Sequence, residues 1–243
     1  MYKYVAKYFI PSKVYKFCSL TAMPAFIIGM IIFLLSSYFV IYSLPADVEQ
    51  QEIYRILFIH VPSAILSELI YLFLAVIGFI YLVWRTKISA IFLNSAISIG
   101  LIFTAIVLIS GSIWGKPTWG TYWVWDARIT STFILLIQYV GLIALRSSFS
   151  SRQTTDQILS IVSIIGAVNI PIIKFSVDWW NTLHQNASIT TSGSAIDSEM
   201  LIGLPLMLAS LLFLSFSIFA RNIQFEILTR TAKTTAMKEI ING

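Results

Sequence analysis

Apolar residues run almost unbroken through six stretches of this chain, at about 21–44, 60–84, 90–113, 127–145, 158–177 and 200–220, with polar and charged residues gathered between them. Each stretch reaches the roughly 20 residues that a helix needs to cross a bilayer. In lipid the backbone must satisfy its own hydrogen bonds, so the pattern predicts an all-α polytopic membrane protein with six transmembrane helices. No solenoid repeat or long linker divides it, and residues 1–243 read as a single membrane domain. Composition excludes a soluble domain: 58% of the residues are hydrophobic and 11% charged, against roughly half and a quarter in soluble proteins.

Charge adds an orientation. Lys3, Lys7, Lys13 and Lys16, then Arg85 and Lys87, Arg146 and Arg152, and finally Arg221, Arg230, Lys233 and Lys238 fall at the same ends of the spans. That is twelve of the sixteen basic residues, and the positive-inside rule makes their face, with both termini, cytoplasmic. Asp47, Glu49, Glu52, Asp126, Asp178, Asp197 and Glu199 gather on the outer face, leaving Asp156, Glu226 and Glu239 inside. The net charge of +5 is explained by the membrane, because the basic residues form no interleaved patch for nucleic acid. The first 20 residues hold four lysines and no acid, and read as a cytosolic leader into the first span. Cys18 is the single cysteine, which excludes an internal disulfide and a C-x-x-C-H attachment site.

Three segments then lie outside: 45–59, a tryptophan-rich loop at about 114–126, and 178–199. The second, within WGKPTWGTYWVWDARIT (Trp114 to Thr130), places four of the seven tryptophans and Tyr122 within twelve positions. Gly115, Lys116, Pro117 and Gly120 are expected to break any helix there, and Asp126 reads as the N-cap of the next one. Tryptophans at membrane edges commonly form an aromatic belt, which accounts for Trp84, Trp179 and Trp180. For Trp114, Trp119, Trp123 and Trp125 the alternative is a platform for a flat apolar ligand.

The chain has two histidines, each beside one of these outer segments. His60, followed by Val61 and Pro62, is expected at the outer mouth of the second span, since proline is tolerated in a first helical turn. His184 follows Asp178, Trp179, Trp180 and Leu183 in a stretch that reads as a short amphipathic helix along the membrane. Either is an interfacial side chain or a metal ligand. Beyond His184, Gln185 to Glu199 is rich in Ser, Thr and Gly and reads as mobile; its Asn186-Ala187-Ser188 spelling carries no weight in a bacterial-looking membrane protein. Asn169 and Pro171 are expected to bend the fifth span, with Lys174 snorkelling outward. Arg128 is either such an anchor or a partner for a carboxylate, and Glu68 is an acid inside the hydrocarbon with no assigned role.

The tryptophan run resembles the WWD signature of haem-handling membrane proteins, and along essentially its whole length the chain is similar to the CcmC family of cytochrome c maturation. Thr118 and Tyr122 stand where a methionine and a further tryptophan are common. The resemblance implies a haem platform of Trp114, Gly115, Trp119, Tyr122, Trp123, Trp125, Asp126 and Arg128, with His60 and His184 as axial ligands of the iron of a transiently held haem b. It also implies a bacterial inner membrane with the site on the periplasmic side. Implied partners are the haem chaperone CcmE, the ABC transporter subunits CcmA and CcmB, and the small membrane protein CcmD. No Walker motif is present, so the chain is expected not to be an enzyme, and any ATP hydrolysis belongs to another subunit.

Three other functions compete. A haem or small-molecule permease would show matched broken helices, and only Glu68 and the Asn169–Pro171 bend qualify. A b-type electron carrier would place its histidines within the bundle, and the haem lyases that share the motif are longer. Topology mapping should find 45–59, 114–126 and 178–199 on one side and both termini on the other. His60 and His184 on opposite sides would remove the basis of the haem reading.

Overall fold

A computed structural model describes residues 10–180, 182–184, 189–190, 193–194 and 200–231. Lys3, Lys7, Lys233, Lys238 and Glu239, the Asn186-Ala187-Ser188 spelling and most of the segment read as mobile fall outside them.

Among the described residues six helical segments are long and apolar enough to cross a membrane: Pro11–Ser43, Glu52–Trp84, Lys87–Trp119, Ala127–Ser148, Arg152–Trp179 and Met200–Thr231. The protein is thus all-α and polytopic. The helices are α1 (Pro11–Tyr38), α2 (Leu57–Trp84), α3 (Lys87–Trp119), α4 (Ala127–Ser148), α5 (Arg152–Gly166), α6 (Asn169–Trp179) and α7 (Met200–Thr231). A wide turn at Phe39–Ser43 ends α1, and a tight one at Glu52–Ile56 leads into α2. Ile189–Thr190 and Gly193–Ser194 pair as a small antiparallel ribbon.

The helices overrun the apolar stretches, because a helix continues into its polar flanks until a cap stops it. Ser151 caps α5 by accepting from Thr154 N, and Arg85 ends α2 in a left-handed conformation at φ 53°. The bend expected in the fifth span is an interruption at Ala167–Val168, between α5 and α6. Pro171 lacks the N–H that would reach Ala167 O; Ile170 N donates to that carbonyl instead, at 3.1 Å, and the Gly166 carbonyl this leaves open takes a hydrogen bond from Gln138 Nε2 at 3.3 Å. Asn169 Nδ2 donates to Ser131 O at 2.9 Å, tying the start of α6 to α4.

Packing follows side-chain size. α1 lies along α7, α2 against α3 and α5, and α3 also contacts α4 and α7. Ala22, Ala25 and Gly29 are buried on α1, and Ser217 and Ser210 of α7 donate to Ala22 O and Gly29 O at 2.7 and 2.9 Å. Small residues bring helix backbones close, and a hydroxyl then bridges them. The main core gathers Tyr71, Leu74, Leu93, Ile97, Leu135, Tyr139, Leu142 and Leu159. Tyr139 donates to Ser67 O at 2.7 Å and its ring lies directly over Gly100.

At the end of the bundle away from the tryptophans, Arg230 is held bidentate by Asp156 at 2.8 Å and by Glu226 at 2.7 Å. Asn94 Nδ2 donates to Asp156 at 2.8 Å and Arg146 reaches Glu226 at 3.3 Å. This network joins α3, α4, α5 and α7.

Gly100→Ala would drive a methyl group into the Tyr139 ring. The expected result is a loss of about 1–3 kcal/mol, as overpacked cores show, read as a lower unfolding midpoint of the detergent-solubilised protein. An unchanged midpoint would refute this packing.

Candidate functional site at the tryptophan rim

The tryptophan stretch is not the splayed loop that its glycines and proline lead one to expect. α3 carries on through Trp114, Gly115, Lys116 and Pro117 to Trp119, and the loop is confined to residues 120–126. Proline gives up one hydrogen bond, and the turn around it is braced by Thr118 Oγ1, which donates to Trp114 O at 2.8 Å. Gly120 then closes the helix at φ 78°, a conformation that favours glycine, with its N–H on Lys116 O.

The four tryptophans form two groups. Trp114 and Trp119 meet edge to face at 5.0 Å between centroids, and a Cβ on Gly115 would press on the Trp119 ring at 3.1 Å. Trp123 lies edge to face on Trp125 at 5.3 Å and on Phe133 at 5.7 Å. Tyr122 and Trp125 stand out from the surface, 61% and 75% exposed, and the Lys116 ammonium sits 5.4 Å from the Tyr122 ring.

Both histidines come to one face of α3. His60 is the fourth residue of α2, preceded by the tight turn at Glu52–Ile56, and Pro62 is buried within the helix. Its Nδ1 is 2.9 Å from Ser110 Oγ, and its Cε1 faces the backbone at Gly111. His184 does not lie on an amphipathic helix, since α6 ends at Trp179 and Trp180 is extended. Its ring lies 6.3 Å from Trp114 and 6.4 Å from Trp119, measured between centroids. Ser110 and Trp114 are four positions apart, so they share a helix face one turn from each other. The two imidazoles therefore pack against successive turns of the same helix.

Asp126 caps α4, accepting from Ile129 N at 2.8 Å through Oδ1. Its Oδ2 and the Trp123 indole N–H are buried without a hydrogen-bond partner among the described residues. Arg128 turns toward α6, donating to Ser176 Oγ at 3.2 Å and to Lys174 O at 3.3 Å. Those bonds engage two of its five N–H groups.

Several contributors are not apparent from the sequence pattern. Gln50 Oε1 accepts from the Trp114 indole at 2.9 Å, and Asp47 fixes that loop by accepting from Glu49 N and Gln50 N. Arg55 donates to Val40 O and Leu44 O and ties the Glu52–Ile56 turn ahead of α2 to the turn that ends α1. Phe133 backs the second tryptophan pair. The one sequence signal lies in Ser110, a hydroxyl one turn before Trp114 on the same face.

These features define a polytopic membrane protein with an aromatic, imidazole-bearing rim at one end. By sequence, residues 4–238 match the family model described as CcmC, Heme exporter protein C. The Escherichia coli (strain K12) protein named Heme exporter protein C is 39% identical over 242 residues, covering 99% of this chain and 98% of that one. The protein of the same name from Bradyrhizobium diazoefficiens is 40% identical over 80% of this chain and 74% of its own. A ccmC-like mitochondrial protein of cytochrome c biosynthesis from Marchantia polymorpha is 46% identical over 73% of this chain and 75% of its own. The chain belongs to the CcmC family.

The two oxygens of Asp126 separate in a substitution series. Asp126→Ala removes the cap and should lower stability by about 1 kcal/mol, whereas Asp126→Asn keeps an acceptor for Ile129 N and should leave the unfolding midpoint near that of the wild type. Equal losses in both would show that the charge, and not the cap, stabilises α4.

Proposed function

We propose that this protein handles haem in cytochrome c maturation by holding it as transient cargo at the tryptophan rim. The observation that carries this reading is the seating of both imidazoles on successive turns of α3, beside Trp114 and Trp119. Haem b brings an iron with two axial positions, and neutral imidazole is a common ligand for them.

The donor set fits such a cargo. His60 and His184 serve as the axial ligands, and Trp114, Trp119, Tyr122, Trp123 and Trp125 offer flat apolar surface to the porphyrin. Gly115 leaves room for the Trp119 ring beside the α3 backbone. Asp126 orders the loop through its cap. Arg128 retains N–H donors for a propionate, because its bonds to Ser176 and Lys174 use only part of the guanidinium. The buried indole N–H of Trp123 and Oδ2 of Asp126, unpaired within the described chain, suit a site whose polar partners come from outside it.

On this reading the rim faces the periplasm of a bacterial inner membrane. The exposed Trp125 and Tyr122 form the side from which the haem chaperone CcmE takes its cargo. CcmA, CcmB and CcmD are the accompanying subunits, and the chain itself presents haem without catalysing a reaction.

Purified His60→Ala and His184→Ala proteins should each lose the low-spin haem absorption band of the wild type, and the double variant should bind no haem. A normal band in the double variant would end this reading.

A further inference from the structure

We infer that Ser110 is a positioning residue for His60, fixing the tautomer and direction of the imidazole so that Nε2 points to the metal. The inference rests on the haem reading above and adds to it a residue that touches no cargo.

A hydroxyl has one proton to give. Ser110 commits its own to the backbone, 2.6 Å from Ile106 O and 3.2 Å from Val107 O. This is the usual bond of a helical serine to the preceding turn. Its oxygen therefore meets His60 Nδ1, at 2.9 Å, as an acceptor. An acceptor there places the proton of a neutral imidazole on Nδ1 and leaves the lone pair on Nε2, the atom that must be unprotonated to bind a metal.

Gly111 completes the seat. A Cβ at that position would lie 3.2 Å from His60 Cε1 and 3.7 Å from Nδ1, so the ring rests against the α3 backbone where a larger residue would displace it. His60 is thus seated along its Nδ1–Cε1 edge by consecutive residues of one helix. Outer hydrogen bonds of this kind orient a ligand and raise its basicity, and their loss typically costs about 10–100-fold in metal affinity.

The test compares Ser110→Thr with Ser110→Val, side chains of one shape that differ in the hydroxyl, with Ser110→Ala and His60→Ala beside them. Haem is titrated into each purified protein. Affinity, the low-spin fraction by electron paramagnetic resonance, the reduction potential and the unfolding midpoint are read on the same samples. Thr is expected to match wild type. Val and Ala are expected to bind haem about 10-fold more weakly, with part of the iron high-spin, a raised reduction potential and an unchanged unfolding midpoint. If His60→Ala abolishes the low-spin signal while Val and Thr behave alike, the role of Ser110 is overturned and the haem reading stands. If His60→Ala leaves the signal intact, both fall.

Discussion

The continuous backbone ladder of α3 is the constraint on which the rest of the rim depends. One helix of 33 residues carries Asn94 in the ion network at one end and Ser110, Gly111, Trp114 and Trp119 at the other. Had Gly115 and Pro117 broken it at Trp114, the tryptophans would hang on a loop with no fixed relation to either histidine. Because the helix persists to Gly120, Trp114 keeps its register with Ser110, and α2 delivers His60 to that same face. The last turns of α3 are held by Thr118 Oγ1 on Trp114 O and by the Gly120 N–H on Lys116 O.

The two ends of the bundle are held differently. Arg230, Asp156, Glu226, Asn94 and Arg146 hold one another at the far end through charge-assisted bonds, and removing one member of such a buried group costs about 3–5 kcal/mol. The rim is held by ring edges, by hydrogen bonds of Gln50 on Trp114, Ser110 on His60 and Asp126 on the start of α4, and by Arg128 on Ser176 and Lys174. Each contributes on the order of 1 kcal/mol.

The spans were legible because hydropathy over about 20 residues is a strong signal, and the aromatic clustering of Trp114 to Trp125 was legible as chemistry. Local breakers misled. Gly115 and Pro117 carry turn propensity, but the packing of Trp114 on Trp119 and the Gly120 cap accompany a helix that stays wound to Trp119, and the start of α2 lies upstream of His60 because Glu52–Ile56 is already wound. The pairings of Gln50 with Trp114 and of Ser110 with His60 are hidden for another reason: the partners lie 64 and 50 residues apart, and no local pattern encodes such pairs. Periodicity told which helices cross; only packing told which faces meet.

The interruption between α5 and α6 has a mechanical consequence. A continuous helix transmits torque along its length, whereas the fifth span is two short rods meeting at a knuckle, with Gln138 serving the carbonyl of Gly166 that the ladder leaves open. The α5 rod is anchored through Asp156 in the far network, and the α6 rod through Ser176 on Arg128. The fifth span is thus segmented, and the helices that leave the arginine network unbroken are α3, α4 and α7, through Asn94, Arg146 and Arg230.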